Sequence, residues 1–268
     1  MTDSGPDADL VDDLRLLARD VAVEATDLAV RLRAEGLDVD SKSTATDLVT
    51  NADRACEDLI IARLSALRPD DGTLGEEGGA RSGTSGVVWV IDPIDGTTNF
   101  VYDHPGWGCS IAACIDGVAV AGAVAAPTIG AVFSAGAGRG ATLGDTPLRL
   151  QPPPVLAEAL VATGFGYSGE QRAAQASILG HLLPRVRDIR RVGAAAVDLC
   201  SVASGRVDAY YESGLAPWDL AAGALIAAEA GARVGALDGG PAVASGLVVA
   251  SHPLLFDELC RLLADAGA

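Results

Sequence analysis

Apolar residues recur at helical spacing from residue 8 to residue 36, through Leu10, Leu14, Leu17, Val21, Ala25, Leu28 and Leu32. This predicts a long amphipathic helix that Gly36 terminates. The polar stretch 38–51 reads as a loop or short hairpin. Helical spacing then resumes over 53–67 through Cys56, Leu59, Ile60 and Leu64, and Pro69 and Gly72 stop it. A short strand around Thr73 and Leu74 leads into Gly75-Glu76-Glu77 and a Gly/Ser loop reaching Gly86. There the period changes. Val87-Val88-Trp89-Val90-Ile91 is a continuous apolar run of strand length, which predicts a buried strand, and it breaks at once into a polar turn, Asp92-Pro93-Ile94-Asp95-Gly96-Thr97-Thr98-Asn99-Phe100. Stretches 107–115 and 118–125 read as strands joined by Asp116-Gly117, a strong hairpin signal, and 131–135 and 139–143 continue the meander.

The proline run 152–154 is a boundary signal and divides the chain into two expected halves, 1–151 and 152–268, that form one compact unit. Beyond it the pattern alternates: strand 159–162, helix 170–183, strand 189–192, helix 194–203, strand 207–211. A helix over 218–230 ended by Gly231, a strand at 247–250 and a terminal helix at 254–263 complete it. Such alternation predicts an α/β layer.

Composition narrows the class. Hydrophobic residues make up 49% of the 268, yet aromatics are only 4%, so the core is expected to consist of small, closely packed side chains. No apolar run approaches the length of a membrane span, and the acidic start 1–13 is the reverse of a signal peptide, so a cytoplasmic protein without membrane contact is expected. The five cysteines are odd in number and scattered among apolar neighbours, which predicts reduced core thiols; the three histidines are equally dispersed, so zinc and Ser-His-Asp readings lack support. A formal net charge of -17 argues against a nucleic-acid partner. It also means that an anionic substrate would need a site made locally positive by metals, amides or a few fixed cations.

Candidate chemistry gathers at the polar turn. Asp92 and Asp95, held close there, would repel unless protonated or bridged by a cation, and Mg2+ is the natural oxygen-loving bridge. Gly96 lets backbone approach a ligand, and Thr97 and Thr98 at a helix start would offer amides to an anion. Taken alone, a D-x-x-D is more often a strand end and a helix cap. Three other stretches add company: Gly75-Glu76-Glu77, Pro217-Trp218-Asp219-Leu220-Ala221-Ala222-Gly223, and the segment from Lys42 to Asp53, which holds the only lysine in the chain.

Asp92-Pro93-Ile94-Asp95-Gly96-Thr97-Thr98 followed by Trp218-Asp219-Leu220-Ala221-Ala222-Gly223, with Gly75-Glu76-Glu77 upstream, resembles the inositol monophosphatase family over nearly the whole chain. The resemblance implies a layered αβαβα sandwich of the inositol monophosphatase / fructose-1,6-bisphosphatase type. It also implies a Mg2+-dependent, lithium-sensitive phosphomonoesterase with two or three ions per site, commonly a homodimer. By that resemblance Glu76, Asp92 and the Ile94 carbonyl form one metal site, and Asp92, Asp95 and Asp219 a second, with Glu76 serving a third ion through water. Thr97, oriented by Asp53, helps activate the attacking water. The amides of Gly96 and Thr97 hold phosphate, and Asp95, Ala195, Glu212 and Asp219 meet the substrate's hydroxyls. Lys42 supports the site. Tyr102 stands where many relatives have histidine, Ala194 replaces a frequent Ser or Thr, and Gly164-Phe165-Gly166-Tyr167 lacks the family's proline. The expected substrate is a small polyol phosphate, most simply inositol 1-phosphate. Histidinol phosphate, fructose 1,6-bisphosphate or a 3'-phosphonucleotide remain open, as does a regulatory binding protein on the same fold. An aspartyl-phosphate phosphatase of the haloacid dehalogenase type is disfavoured because its two aspartates stand one residue apart.

Overall fold

A computed structural model describes residues 7–242 and 246–268; of the acidic start, residues 1–6 lie outside them. The first amphipathic pattern forms α1 (Ala8–Glu35), ended by Gly36 at φ 121°. Its buried stripe is largely Ala and Val, so it lies close on what it covers. The polar stretch after it is a hairpin, β1 (Val39–Ser41) with β2 (Leu48–Thr50). Next comes α2 (Asn51–Leu67), whose start is closed by reciprocal bonds: Thr50 accepts from the Asp53 amide, and Asp53 accepts from the Thr50 amide.

An eight-stranded sheet follows. It contains β3 (Gly72–Gly75), β4 (Gly79–Arg81), β5 (Val87–Asp95), β6 (Gly108–Ile115), β7 (Val118–Ala126), β8 (Ala131–Gly136), β9 (Gly140–Leu143) and β10 (Thr146–Leu148). The spatial order is β10-β9-β8-β7-β6-β5-β3-β4, antiparallel throughout except for the parallel pair β3 and β5. The β6–β7 turn places Asp116 and Gly117 at φ 51° and 79°, the primed geometry that matches strand twist. The pattern does not announce β4 and β10, because short edge strands carry no run of buried residues. The short helix α3 (Thr97–Val101) leaves the end of β5.

After the proline run comes a five-stranded sheet of β11 (Leu160–Thr163), β12 (Asp188–Arg190), β13 (Ala209–Ser213), β14 (Arg233–Ala236) and β15 (Leu247–Ser251), ordered β12-β11-β13-β15-β14. The predicted alternation appears as parallel pairing of β11 with both β12 and β13, reached through α4 (Gly169–Leu182) and α5 (Ala195–Ala203). Helices α6 (Pro217–Glu229) and α7 (Pro253–Asp265) complete the chain, and the edge strand β14 is an addition to the sequence reading.

Four buried clusters separate five layers. Helices α1 and α2 cover one face of the large sheet around Trp89, Ile91 and Ile111. On its other face, Val90, Val124 and Phe133 meet Ala196 and Cys200 of α5 and Ala222 and Ile226 of α6. The reverse side of these middle helices packs Leu199, Val202 and Leu220 on Ala162, Tyr210 and Val248 of the small sheet. That sheet is closed outside by Leu182 of α4 and Phe256, Leu259 and Leu263 of α7. The result is the expected αβαβα sandwich. The middle layer is tight: a Cβ on Gly223 would stand 2.9 Å from the Leu199 side chain, so α6 approaches α5 only because that position is glycine. All five cysteines are free and buried, and no described helix is long and apolar enough to cross a membrane.

Candidate active site

The large sheet delivers the acidic turn, with one correction to the sequence reading. The strand does not stop at Ile91 but runs to Asp95, pairing Asp92 with Ser110 and Asp95 with Gly108 across an irregularity between them. Pro93 has no N–H for the ladder and is accommodated at this bulge. The bulge, rather than a turn beyond the strand, brings both carboxylates to one end of β5, and the Ile94 amide donates to Asp92 Oδ1 at 3.0 Å. Gly96 then adopts φ 88°, and a Cβ there would lie 3.1–3.2 Å from Ala194 and from the Gly106 and Gly193 carbonyls. Both the left-handed backbone and the crowding require glycine. Thr97 opens α3 with its hydroxyl 3.2 Å from Asp53 Oδ1 and 3.1 Å from the Ile94 carbonyl.

The remaining acids arrive from elsewhere. Asp219, in the first turn of α6, accepts the Ala216 amide at 2.6 Å. Asp92, Asp95 and Asp219 each offer a carboxylate oxygen within 4.8 Å of the others. Glu76 follows β3, and its amide donates to the Ile91 carbonyl at 3.2 Å. Lys42, on the loop joining β1 and β2, places Nζ 2.7 Å from Glu76 Oε1 and also bonds Glu77, so the lone lysine sits at the acidic rim.

Electrostatics in the cluster disfavour three bare carboxylates. Burial, then the charge of Glu76, raises the Asp92 carboxyl well above the usual carboxylate range; burial and Asp219 do the same for Asp95. Burial also pushes Asp219 and Asp53 up to about 6. Buried, mutually repelling, all-oxygen donors of this kind fit a hard divalent cation.

Beside the acids lies a cavity of about 130 Å3, lined by Asp95, Gly96, Ala195, Glu212 and Asp219 among the predicted residues. The Ala196 amide, next to Ala195 at the start of α5, donates to Asp95 Oδ2 at 2.8 Å and ties the two walls together. Glu212 on β13 accepts the Tyr210 hydroxyl at 2.7 Å, and burial pushes its carboxyl up to about 7. Phe165, Gln171 and Arg191 also line this cavity and were not assigned a role from the sequence. Arg191 lies over the Phe165 ring at 5.9 Å. Asn99 has a missed structural part: its side-chain amide bonds the Gly106 and Val192 carbonyls at 2.7 and 2.9 Å and holds the Val192–Gly193 backbone against the turn. Its place inside the acidic motif was the available signal. A roomier cleft of about 440 Å3 near Val30, Arg33 and Trp107 contains none of the clustered carboxylates and has no part in the candidate site.

The layered αβαβα fold and this acid constellation place the protein in a recognised family: residues 11–268 match the inositol monophosphatase family, and the chain belongs to it. Among its relatives is the inositol-1-monophosphatase of Mycobacterium leprae, 48% identical with 96% of this chain and 95% of that protein covered. The Nus factor SuhB of Pasteurella multocida is 41% identical over 85% of this chain and 86% of that protein. The solved structure of Mycobacterium tuberculosis SuhB superposes with a TM-score of 0.81 at 46% identity, covering 95% of this chain and 97% of that one.

Proposed function

We propose that this chain is a Mg2+-dependent phosphomonoesterase of small polyol phosphates, with inositol 1-phosphate as its substrate. The observation that carries the proposal is the convergence of Asp92, Asp95 and Asp219 within 4.8 Å, beside the Gly96–Thr97 backbone and the Thr97–Asp53 pair. In this reading Glu76, Asp92 and the Ile94 carbonyl hold one ion, Asp92, Asp95 and Asp219 a second, and Glu76 a third through water. Bound cations would neutralise phosphoryl oxygens and lower the pKa of a coordinated water. The protein's own groups do the rest. Asp53 accepts the Thr97 hydroxyl hydrogen and so turns the Thr97 oxygen lone pairs toward the attacking water. The amides of Gly96 and Thr97 receive the phosphate, and the left-handed glycine permits that approach. Asp95, Asp219, Glu212 and the Ala195 amide bond the polyol hydroxyls.

The test is phosphate release from inositol 1-phosphate with and without Mg2+. We expect release only with the metal, and at least about a hundredfold less from Asp92→Asn. Wild-type protein that hydrolyses no monoester in Mg2+ would refute the reading. The relative named Nus factor SuhB supports a second one, a regulatory binding role on the same fold. The net charge of -17 makes a protein surface a better partner than nucleic acid for such a role. The same family reading carries lithium sensitivity, a cytoplasmic setting and a homodimer, the last open to sedimentation of the full chain.

A further inference from the structure

Glu57 has no part in the chemistry above, yet it is a carboxylate with only 2% of its surface exposed, buried one helical turn beyond Asp53 on α2. Its Oε2 accepts the Glu77 amide at 2.9 Å, and its Oε1 accepts the Gly78 amide. The backbone is shaped to receive it. A Cβ on Gly75 would stand 2.5 Å from the Glu57 carboxylate, and one on Gly78 2.6 Å from Oε1, so two glycines of the Gly75-Glu76-Glu77-Gly78 turn form a notch that this head group fills. The other anchor of the turn is the Glu76 amide on the Ile91 carbonyl of β5. Glu76 and Glu77 therefore project from a turn fastened on one side to the strand that carries Asp92 and on the other to α2. Asp53 and Glu57, four residues apart, share one helix face. The first reaches the Thr97 hydroxyl and the second the Glu76 turn.

We propose that Glu57 is a positioning residue that presets the Gly75–Gly78 turn, so that Glu76 is held ready for a divalent cation and metal affinity depends on Glu57 without direct contact. This rests on the metal reading of the same site. A turn ordered in advance loses less conformational freedom when the ion binds, and groups outside a metal's direct ligands commonly change affinity by about 10- to 100-fold.

The test is Glu57→Gln in the full chain. The amide keeps the shape, but its NH2 faces one of the two N–H donors, so one bond becomes a repulsion. We expect the Mg2+ dissociation constant, measured by calorimetry without substrate, to rise about tenfold or more. The Mg2+ concentration for half-maximal phosphate release should rise by the same factor, with kcat at saturating Mg2+ within about twofold of wild type. Gly78→Ala attacks the contact from the turn side and keeps Glu57, so it should reproduce the effect, and it decides the matter if Glu57→Gln does not fold. An unchanged Mg2+ dissociation constant in the folded variants would overturn the proposal, as would a lowered melting temperature with metal affinity intact. Wild-type protein that binds Mg2+ but releases no phosphate would sink the hydrolase reading alone.

Discussion

The two walls of the cavity are built in opposite ways. The acidic side groups Asp92, Asp95, Gly96 and Thr97 on one bulged strand end and the helix start that follows it, with Asp95 and Gly96 lining the cavity, and these groups are neighbours because the backbone makes them so. The facing wall takes Phe165, Gln171, Arg191 and Glu212 from separate segments around the small sheet, and they are neighbours only because the layers pack. In the proposed reading the reacting groups are centred on the side that local geometry dictates, completed by Glu76 and Asp219 from elsewhere, while choice of alcohol falls to a wall that depends wholly on the fold. Such a division lets substrate preference change without disturbing the reaction.

Substitutions should separate the walls by size and kind of effect. The largest is expected from Asp92→Asn, which removes a carboxylate from the acid cluster. Turnover should fall at least about a hundredfold, with Mg2+ binding lost in calorimetry. Next come Thr97→Ala and Asp53→Asn, each lowering kcat by about a hundredfold with KM nearly unchanged; equal losses from the single and double variants would show that the pair acts as one unit. On the facing wall, Glu212→Gln should instead raise KM for inositol 1-phosphate about tenfold and leave a hydroxyl-free aryl phosphate almost unaffected.

Glu212 also gives a pH signature. Its carboxyl lies at about 7 in the fold against an ordinary 4.5, so between those values the folded state binds more protons than the unfolded state. Stability should therefore fall as pH rises from 4.5 toward 7, and Glu212→Gln should flatten that part of the curve in urea titrations. The smallest effect is expected from Arg191→Met. Arg191 is exposed, so a change of about threefold in KM is anticipated, read from steady-state kinetics. A hundredfold effect there would break the contrast between the walls.

Legibility followed the same division. Helix α1 and the Asp116-Gly117 hairpin were plain, because period and turn chemistry act within a few residues. The acidic motif was visible for a similar reason, although its geometry was not: Pro93 turned out to mark a bulge within β5 instead of a break after it. Short edge strands β4 and β10 escaped, since three residues set no period. Asp53 and Asp219 each combine a capping contact with a contact to a distant segment, and only the first of these is local in sequence. Each accepts a backbone amide at its helix start, and each also reaches the site, Asp53 through the Thr97 hydroxyl and Asp219 through the acid cluster. Glu57 lies within α2 with no local feature that sets it apart from other helical glutamates. Nothing local reveals that two glycines some twenty residues away leave a notch for its head group.

By itself, then, the sequence determined the helices and principal strands, a small-residue core, and a strand end crowded with carboxylates next to glycine and threonine. Tertiary structure decided which distant groups complete that strand end. Asp219 reaches Asp92 because α6 lies close on the large sheet, where Gly122 leaves room for Ala222, and Glu76 reaches it because β3 pairs in parallel with β5. Glu212 and Arg191 share a cavity because the small sheet closes over the middle helices. The physical reason is range: hydrogen-bond geometry and hydrophobic period act over a few residues of chain, whereas the distance between carboxylates more than a hundred residues apart is set by how closely the layers between them can pack.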